Sequence, residues 1–301
     1  MHGCNLRRRT IFLLGLLLLT GFSTALLGIS PTRGALRKPS VMVMDFQGQG
    51  LITYIANEGI LLEIGEKKVV IDGMFRQLAG YQRPSDAMRN DMENALGRFA
   101  EVDLVLATHS HADHFDARVV RWHLAANPKA HFVAVRQVTD ALAKEQGYDQ
   151  VASRVVEVTP DFGQRKEMRV ADIDLSVIRM RHGNTMNVAF LLNLEGAKIL
   201  HLGDSDGTVA NFDALDLEKE GIAFALIPYW YALDDEGRRV IREHIAPKQV
   251  IFFHIPEDNP DHPQLKQHMD EMGGRAGLQK GITAEFPNAL FLLDPLAPPR
   301  R

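Results

Sequence analysis

The stretch Thr108-His109-Ser110-His111-Ala112-Asp113-His114-Phe115-Asp116 sets four metal-capable side chains within six positions. Zinc accepts imidazole nitrogen and carboxylate oxygen in a roughly tetrahedral shell. His109 and His111, two apart in an extended loop, can point to one side together. Asp113 and His114 come from the next turn and can face a second ion. Two divalent ions about 3.5–4 Å apart would clamp and activate a bridging water. Zinc-bound water can titrate near about 7, so hydroxide would be available at neutral pH. It would attack a carbonyl or phosphoryl centre, with Asp113 a candidate to orient it. The plainer alternative is a solvated polar loop ahead of a helix, with Asp116 as its N-cap.

Three further donors sit at the ends of strand-like runs. His182 follows Val177-Ile178-Arg179-Met180, Asp204 closes Leu202-Gly203-Asp204, and His254 follows Val250-Ile251-Phe252-Phe253. Their alternatives are an ordinary loop histidine, a turn cap and a buried structural histidine. His201 lies inside a strand and is expected to pack rather than ligate; Asp206 is expected in a turn. His123, His131, His244, His262 and His268 are expected on the surface or on helices. Pro228-Tyr229-Trp230-Tyr231 fits either core packing or the wall of a substrate pocket.

His109-x-His111-x-Asp113-His114 resembles the signature of the metallo-β-lactamase fold superfamily. The resemblance runs in order from about residue 45 to 260. Val69-Val70-Ile71-Asp72-Gly73 looks like the family's opening strands, and Arg181-His182-Gly183-Asn184, Leu202-Gly203-Asp204 and Phe252-Phe253-His254 look like its later motifs. It implies an α/β fold, the αββα four-layer sandwich. It also implies one ion on His109, His111 and His182, a second on Asp113, His114 and His254, and Asp204 between them. The cofactors would be two divalent metal ions, zinc in the first place, with manganese or iron as alternatives. Asp72 is followed by Gly73 where the family often has proline. Asn57 stands where many relatives of the lactonase-like branch carry histidine.

Short apolar strands near 51–55, 59–64, 68–72 and 102–107 precede the motif. Helices are expected near 84–99 and 115–126, then strands near 131–135, 155–158, 173–180, 187–194, 197–202, 223–227, 249–254 and 289–293. Further helices are expected near 137–146, 211–219, 236–245 and 263–272. Consecutive strands followed by alternating strands and helices suggest two sheets with helices outside.

The 301 residues are 46% hydrophobic and 24% charged, a composition that excludes a mainly disordered chain. Cys4 is the one cysteine, which excludes an internal disulfide and a cysteine-rich zinc site. The formal net charge of −4 disfavours a general nucleic-acid partner. Arg7, Arg8 and Arg9 precede a run free of charge from Thr10 to Thr32. Residues 1–25 therefore read as a signal peptide or an N-terminal membrane anchor, 26–40 as a linker and 41–301 as a single hydrolase domain. Cleavage after Ala25 would leave 31 basic against 38 acidic residues, a balance of −7.

These features converge on an exported dinuclear hydrolase, periplasmic or anchored facing outside the cytoplasm. Its bridging hydroxide would act on an ester, lactone or phosphodiester bond of a small molecule. A membrane is a further partner if the N-terminal segment stays attached. Alternatives on the same fold are an iron-binding oxidoreductase and a nuclease. Cell fractionation should place the protein outside the cytoplasm, with a mature N-terminus near Leu26 on sequencing. A cytoplasmic protein starting at Met1 would contradict export.

Overall fold

A computed structural model describes residues 41–44, 50–76, 78–258 and 260–293. The chain divides into Met1–Arg37 and Lys38–Arg301, and everything described belongs to the second unit. The expected signal or anchor over 1–25 and the linker over 26–40 lie outside the described residues. Among the described residues no helix is long and apolar enough to cross a membrane.

Two seven-stranded sheets are each built from strands in sequence order. The first holds β1 (Val41–Met44), β2 (Gly50–Ala56), β3 (Gly59–Ile64), β4 (Lys67–Ile71), β5 (Leu104–Ala107), β6 (His131–Ala134) and β7 (Val155–Glu157). The second holds β8 (Arg165–Val170), β9 (Ile173–Met180), β10 (Asn187–Leu194), β11 (Ala197–His201), β12 (Phe224–Pro228), β13 (Gln249–Phe253) and β14 (Leu290–Phe291). Both sheets open with antiparallel pairings and finish with parallel ones. Parallel neighbours need crossovers. α1 (Asp86–Glu93), α2 (Ala117–Ala126) and α3 (Arg136–Leu142) lie in those of the first sheet. α4 (Asp235–Arg239), α5 (Pro263–Glu271) and α6 (Gly274–Glu285) lie in those of the second.

Alternation along each strand sends side chains to opposite faces. Leu175, Val177, Phe190, Leu192, Leu226 and Phe253 join the core shared with the first sheet. Their neighbours Ile178, Ala189, Leu191, Ile227 and Phe252 join a second core with Ile241, Leu278 and Ile282 from the helical side. Each sheet is covered on both faces, as the expected αββα sandwich requires. Strands buried on both faces are apolar at nearly every position, which is why β5 and β6 look like continuous hydrophobic runs.

Several boundaries differ from expectation. The helix expected over 211–219 is two 3-10 turns, Val209–Asn211 and Leu217–Lys219. The helix expected near 236–245 starts as α4 and continues as a π-helix, Val240–Ile245. Strand β8 and helix α6 were not anticipated. β8, Arg-Lys-Glu-Met-Arg-Val, is a largely exposed edge strand whose charges hide the strand pattern. In α6, Gly277 and Gly281 depress the helical signal, yet Leu278 and Ile282 are buried one turn apart.

His123 lies on a helix, one of the two placements expected for it, but not at the surface. It is fully buried on α2, and its Nδ1 donates to the Met92 carbonyl oxygen at 2.7 Å. Burial pulls its pKa from 6.5 down to about 4. The unfolded chain therefore binds this proton more readily than the folded one. Stability should be lost as pH falls from 6.5 towards about 4, by an amount on the order of 3 kcal/mol. Denaturation midpoints of the wild type and of His123→Gln across that range should show a shallower acid loss in the variant; equal slopes would refute the assignment.

Candidate metal centre

All seven expected ligands lie at one edge of the molecule, because the strands that carry them end there. In the first sheet β4 and β5 run parallel, so Asp72 and the 108–116 loop emerge side by side. The β2–β3 turn returns to the same edge, since Ile60 pairs with Ile71. In the second sheet β11 and β13 end in the turns carrying Asp204 and His254, and the β9–β10 loop holds His182. Val188 N donates to Thr108 O at 3.1 Å, joining the two sheets beside the site. Gly203 sits at φ +55°, and a Cβ there would lie 2.6 Å from Asn187 Oδ1 and 2.8 Å from Thr108 Oγ1. Only glycine lets the turn before Asp204 press that closely onto the motif loop.

Asp72 organises the histidines from below. Its Oδ1 accepts from Thr108 N at 2.7 Å and its Oδ2 from Thr108 Oγ1 at 2.6 Å. The same Oδ2 accepts from His114 Nδ1 at 2.9 Å. Because the Thr108 hydroxyl gives its hydrogen to Asp72, it accepts one from His109 Nδ1, 3.0 Å away. Both rings are thereby held by Nδ1 with Nε2 turned towards the centre, the arrangement that outer partners impose on ligating histidines.

The donor atoms fall into two groups around Asp204. Its Oδ2 lies 3.6 Å from Nε2 of His109 and 3.6 Å from Nε2 of His182. His109 Nε2 is also 3.0 Å from His111 Nδ1. Its Oδ1 lies 3.5 Å from His114 Nε2 and 3.3 Å from His254 Nε2. Asp113 Oδ2 completes the second group, 3.5 Å from His114 Nε2 and 3.4 Å from His254 Nε2. Two ligands on one tetrahedral zinc, each bonded at about 2.0–2.1 Å, sit roughly 3.3 Å apart. Most separations here are close to that value. His114 Nε2, His254 Nε2 and Asp204 Oδ1 are buried without hydrogen-bond partners. Buried polar atoms are almost always paired, so these atoms fit a cation.

The electrostatics agree. Burial alone would raise the pKa of Asp113, but His114 and His254 hold it well below the usual carboxylate range. Burial would likewise raise Asp204, and His254, His114 and His109 outweigh it. For His114 burial acts downward, yet Asp113, Asp204, Glu58 and Asp72 raise its pKa. The centre attracts positive charge. Asn57 Nδ2 donates to Asp113 Oδ2 at 2.9 Å, fixing that carboxylate. Asn57, Asp72 and His254 all have positive φ, strain that is commonly held at functional positions.

Other expectations resolve as follows. His201 is buried in β11: its Nδ1 accepts from Gly203 N, and its Nε2 lies 3.2 Å from the Glu58 carbonyl oxygen. Asp116 does cap α2, accepting from Arg118 N and Val119 N. The aromatic cluster divides: Tyr231 is core, bonded to Ser205 Oγ at 2.7 Å, while Trp230 stands 5.1 Å from the His254 ring. Tyr81, not anticipated, meets the other side of His254 edge-on at 4.5 Å. Glu58, also missed, shares a potential metal group with His114, Asp204 and His254. The signal available for it was the largely apolar character of both flanking strands, which buries the turn between them.

Residues 68–255 match the family described as Beta-lactamase superfamily domain. A UPF0173 metal-dependent hydrolase of Staphylococcus carnosus is 24% identical over 73% of this chain and 90% of its own. The solved structure of a possible metal-dependent hydrolase from Veillonella parvula is similar at a TM-score of 0.54 and 14% identity, covering 82% of this chain and 98% of that one. The metallo-beta-lactamase fold protein YhfI from Bacillus subtilis is similar at 0.53 and 12%, covering 80% and 90%. The likeness to these two structures bears on the fold. Asp72→Asn should weaken metal affinity by about 10–100-fold, since it loosens two ligands at once. Chelator competition measures this, and unchanged affinity would remove Asp72 from its organising position.

Proposed function

This chain belongs to the beta-lactamase superfamily, and we propose that it is a dinuclear metal-dependent hydrolase acting on an ester, lactone or phosphodiester bond of a small molecule. The observation that carries this is Asp204, whose two oxygens face two separate groups of imidazole nitrogens. His109, His111 and His182 with Asp204 would hold one ion; Asp113, His114 and His254 with Asp204 would hold the other. When bound, divalent ions supply Lewis acidity and a water acidified to near neutrality. Zinc suits imidazole ligands, and manganese or iron are accommodated by the carboxylates.

The chain's own residues account for the rest. Asp113 stays ionised and is pinned by Asn57, so it can orient an attacking water. His111 is exposed and His182 half-buried, whereas His109, His114 and His254 are buried. Substrate therefore approaches from the side of His111 and His182. Tyr81 and Trp230 flank His254 and supply an apolar border to the centre. No serine or cysteine nucleophile is called for. Export is part of the proposal, supported by Arg7–Arg9 and the uncharged run after them.

Elemental analysis of the purified protein should find about two ions per chain, and a panel of ester, lactone and phosphodiester substrates should reveal turnover. Asp113→Ala should lower kcat/KM by about 10²–10⁴-fold on every substrate hydrolysed, with the fold retained. His201→Ala should instead lower stability while keeping the metal. A folded protein that carries no metal and takes up none on titration would defeat the proposal.

A further inference from the structure

A cation outside the ligand set borders the open side of the centre. β7 runs parallel to β6, and β6 to β5, so the 158–164 segment after β7 leaves from the ligand-bearing edge. β8 pairs antiparallel with β9 and starts opposite the end of it, which brings that segment beside the β9–β10 loop. Gly163 N donates to Arg179 O at 3.3 Å, and Arg179 N to Gln164 O at 2.9 Å, fastening it there. Phe162 lies in this segment, 45% exposed, and the Arg181 guanidinium stands over its ring at 4.2 Å. Arg181 immediately precedes His182, and consecutive Cα atoms are about 3.8 Å apart. A substrate entering on the side of His111 and His182 passes this pair.

The mount of Arg181 is firm. Its N donates to Asn211 Oδ1 at 2.8 Å, and its carbonyl oxygen accepts from Asp206 N at 2.8 Å and from Asn211 Nδ2 at 3.4 Å. Asn211 is itself buried. Stacking on Phe162 occupies the flat face of the guanidinium and leaves its edge of N–H donors free. That edge is the one that grips carboxylate or phosphate in bidentate fashion. Arg179 is two positions earlier, the spacing that puts side chains on one face of an extended strand. Val177, on the same face, belongs to the core shared with the first sheet. Arg179 Nε is buried without a hydrogen-bond partner. Among the described residues neither guanidinium pairs with a carboxylate, Asp161 and Asp206 included. Nearby arginines are paired: Arg136 with Glu157, Arg165 with Glu220 and Arg169 with Asp174.

We propose that Arg179 and Arg181 bind a negatively charged group that the substrate carries beside the bond to be cut. That the anion belongs to a substrate rests on the hydrolase reading above. The class narrows to esters, lactones or phosphodiesters bearing a phosphate or carboxylate, in preference to neutral ones. Phe162 is a positioning residue, which keeps the Arg181 fork flat and turned to the incoming anion.

The test uses the whole chain in two forms, loaded with zinc and stripped by chelation, so that anion binding is read with and without metal. Calorimetric titration should show phenyl phosphate and benzoate binding, neutral benzyl alcohol not, and added salt weakening both anions. Arg181→Gln should weaken the anions at least about threefold, and its combination with Arg179→Gln at least about tenfold, in both forms. Arg181→Lys keeps charge without the fork and should restore only part of the loss. Phe162→Ala should weaken both anions, and Phe162→Tyr, which keeps a ring, should restore them. Arg169→Gln removes a paired cation at the other end of β8 and should bind as wild type does. Tighter binding of phenyl phosphate or of benzoate tells which anion the site takes. On an anionic substrate that turns over, Arg181→Gln should raise KM more than it lowers kcat. Failure of wild type to bind either anion, or equal affinity in wild type and the double variant, would overturn the proposal; the single variants serve if the double one does not fold. Arginine-dependent anion binding without turnover of any ester, lactone or phosphodiester would overturn the hydrolase reading instead, and with it the identification of the anion as substrate.

Discussion

The carboxylate of Asp72 is the anchor on which the centre depends. It sits at the end of β4 and accepts three hydrogen bonds, two from Thr108 and one from His114. Through the Thr108 hydroxyl it also sets the tautomer of His109. One buried charge therefore fixes the 108–114 loop, the orientation of two rings and the face they turn to the centre. Asp72 itself has positive φ. That conformation is costly for a residue with a side chain, and the surrounding hydrogen bonds hold it in place.

Around that anchor the molecule keeps four carboxylates out of water: Asp72, Asp113, Asp204 and Glu58. Buried anions demand compensation. Protons on histidine supply part of it, which is why His114 is raised and the two aspartates beside it are lowered. A divalent cation supplies it more completely. The sandwich delivers the required convergence by simple means: parallel strands end at one edge, and the turns after them carry the ligands.

Much of this was legible in the residues. The His-x-His-x-Asp-His spacing identifies a metal loop because few other structures need those types so close together, and the later donors each follow an apolar strand. What stayed hidden has physical causes. Glu58 looks like a solvated hairpin residue because a local pattern does not show that the whole hairpin is covered. His123 looks like a polar position on α2, since a single buried acceptor, the Met92 carbonyl, is invisible in sequence. β8 is masked by edge-strand charges, and α6 by its glycines. The aromatic cluster could not be divided between core and site until the hydrogen bond between Ser205 Oγ and the Tyr231 hydroxyl placed Tyr231 inward.

The sheet order has a consequence for how the chain is made. Every strand pairs only with its neighbours in sequence, so each sheet is a contiguous half of the chain. Such local pairing can proceed as the polypeptide emerges, N-terminal half first. The ligands are divided across that boundary: His109, His111, Asp113 and His114 belong to the first half, His182, Asp204 and His254 to the second. The first half alone presents an incomplete donor set with its acidic groups unneutralised. The full set of donors would therefore exist only once residue 254 has been synthesised and the two sheets have met, so a bound ion would act as a latch on the closed sandwich rather than a nucleus for it.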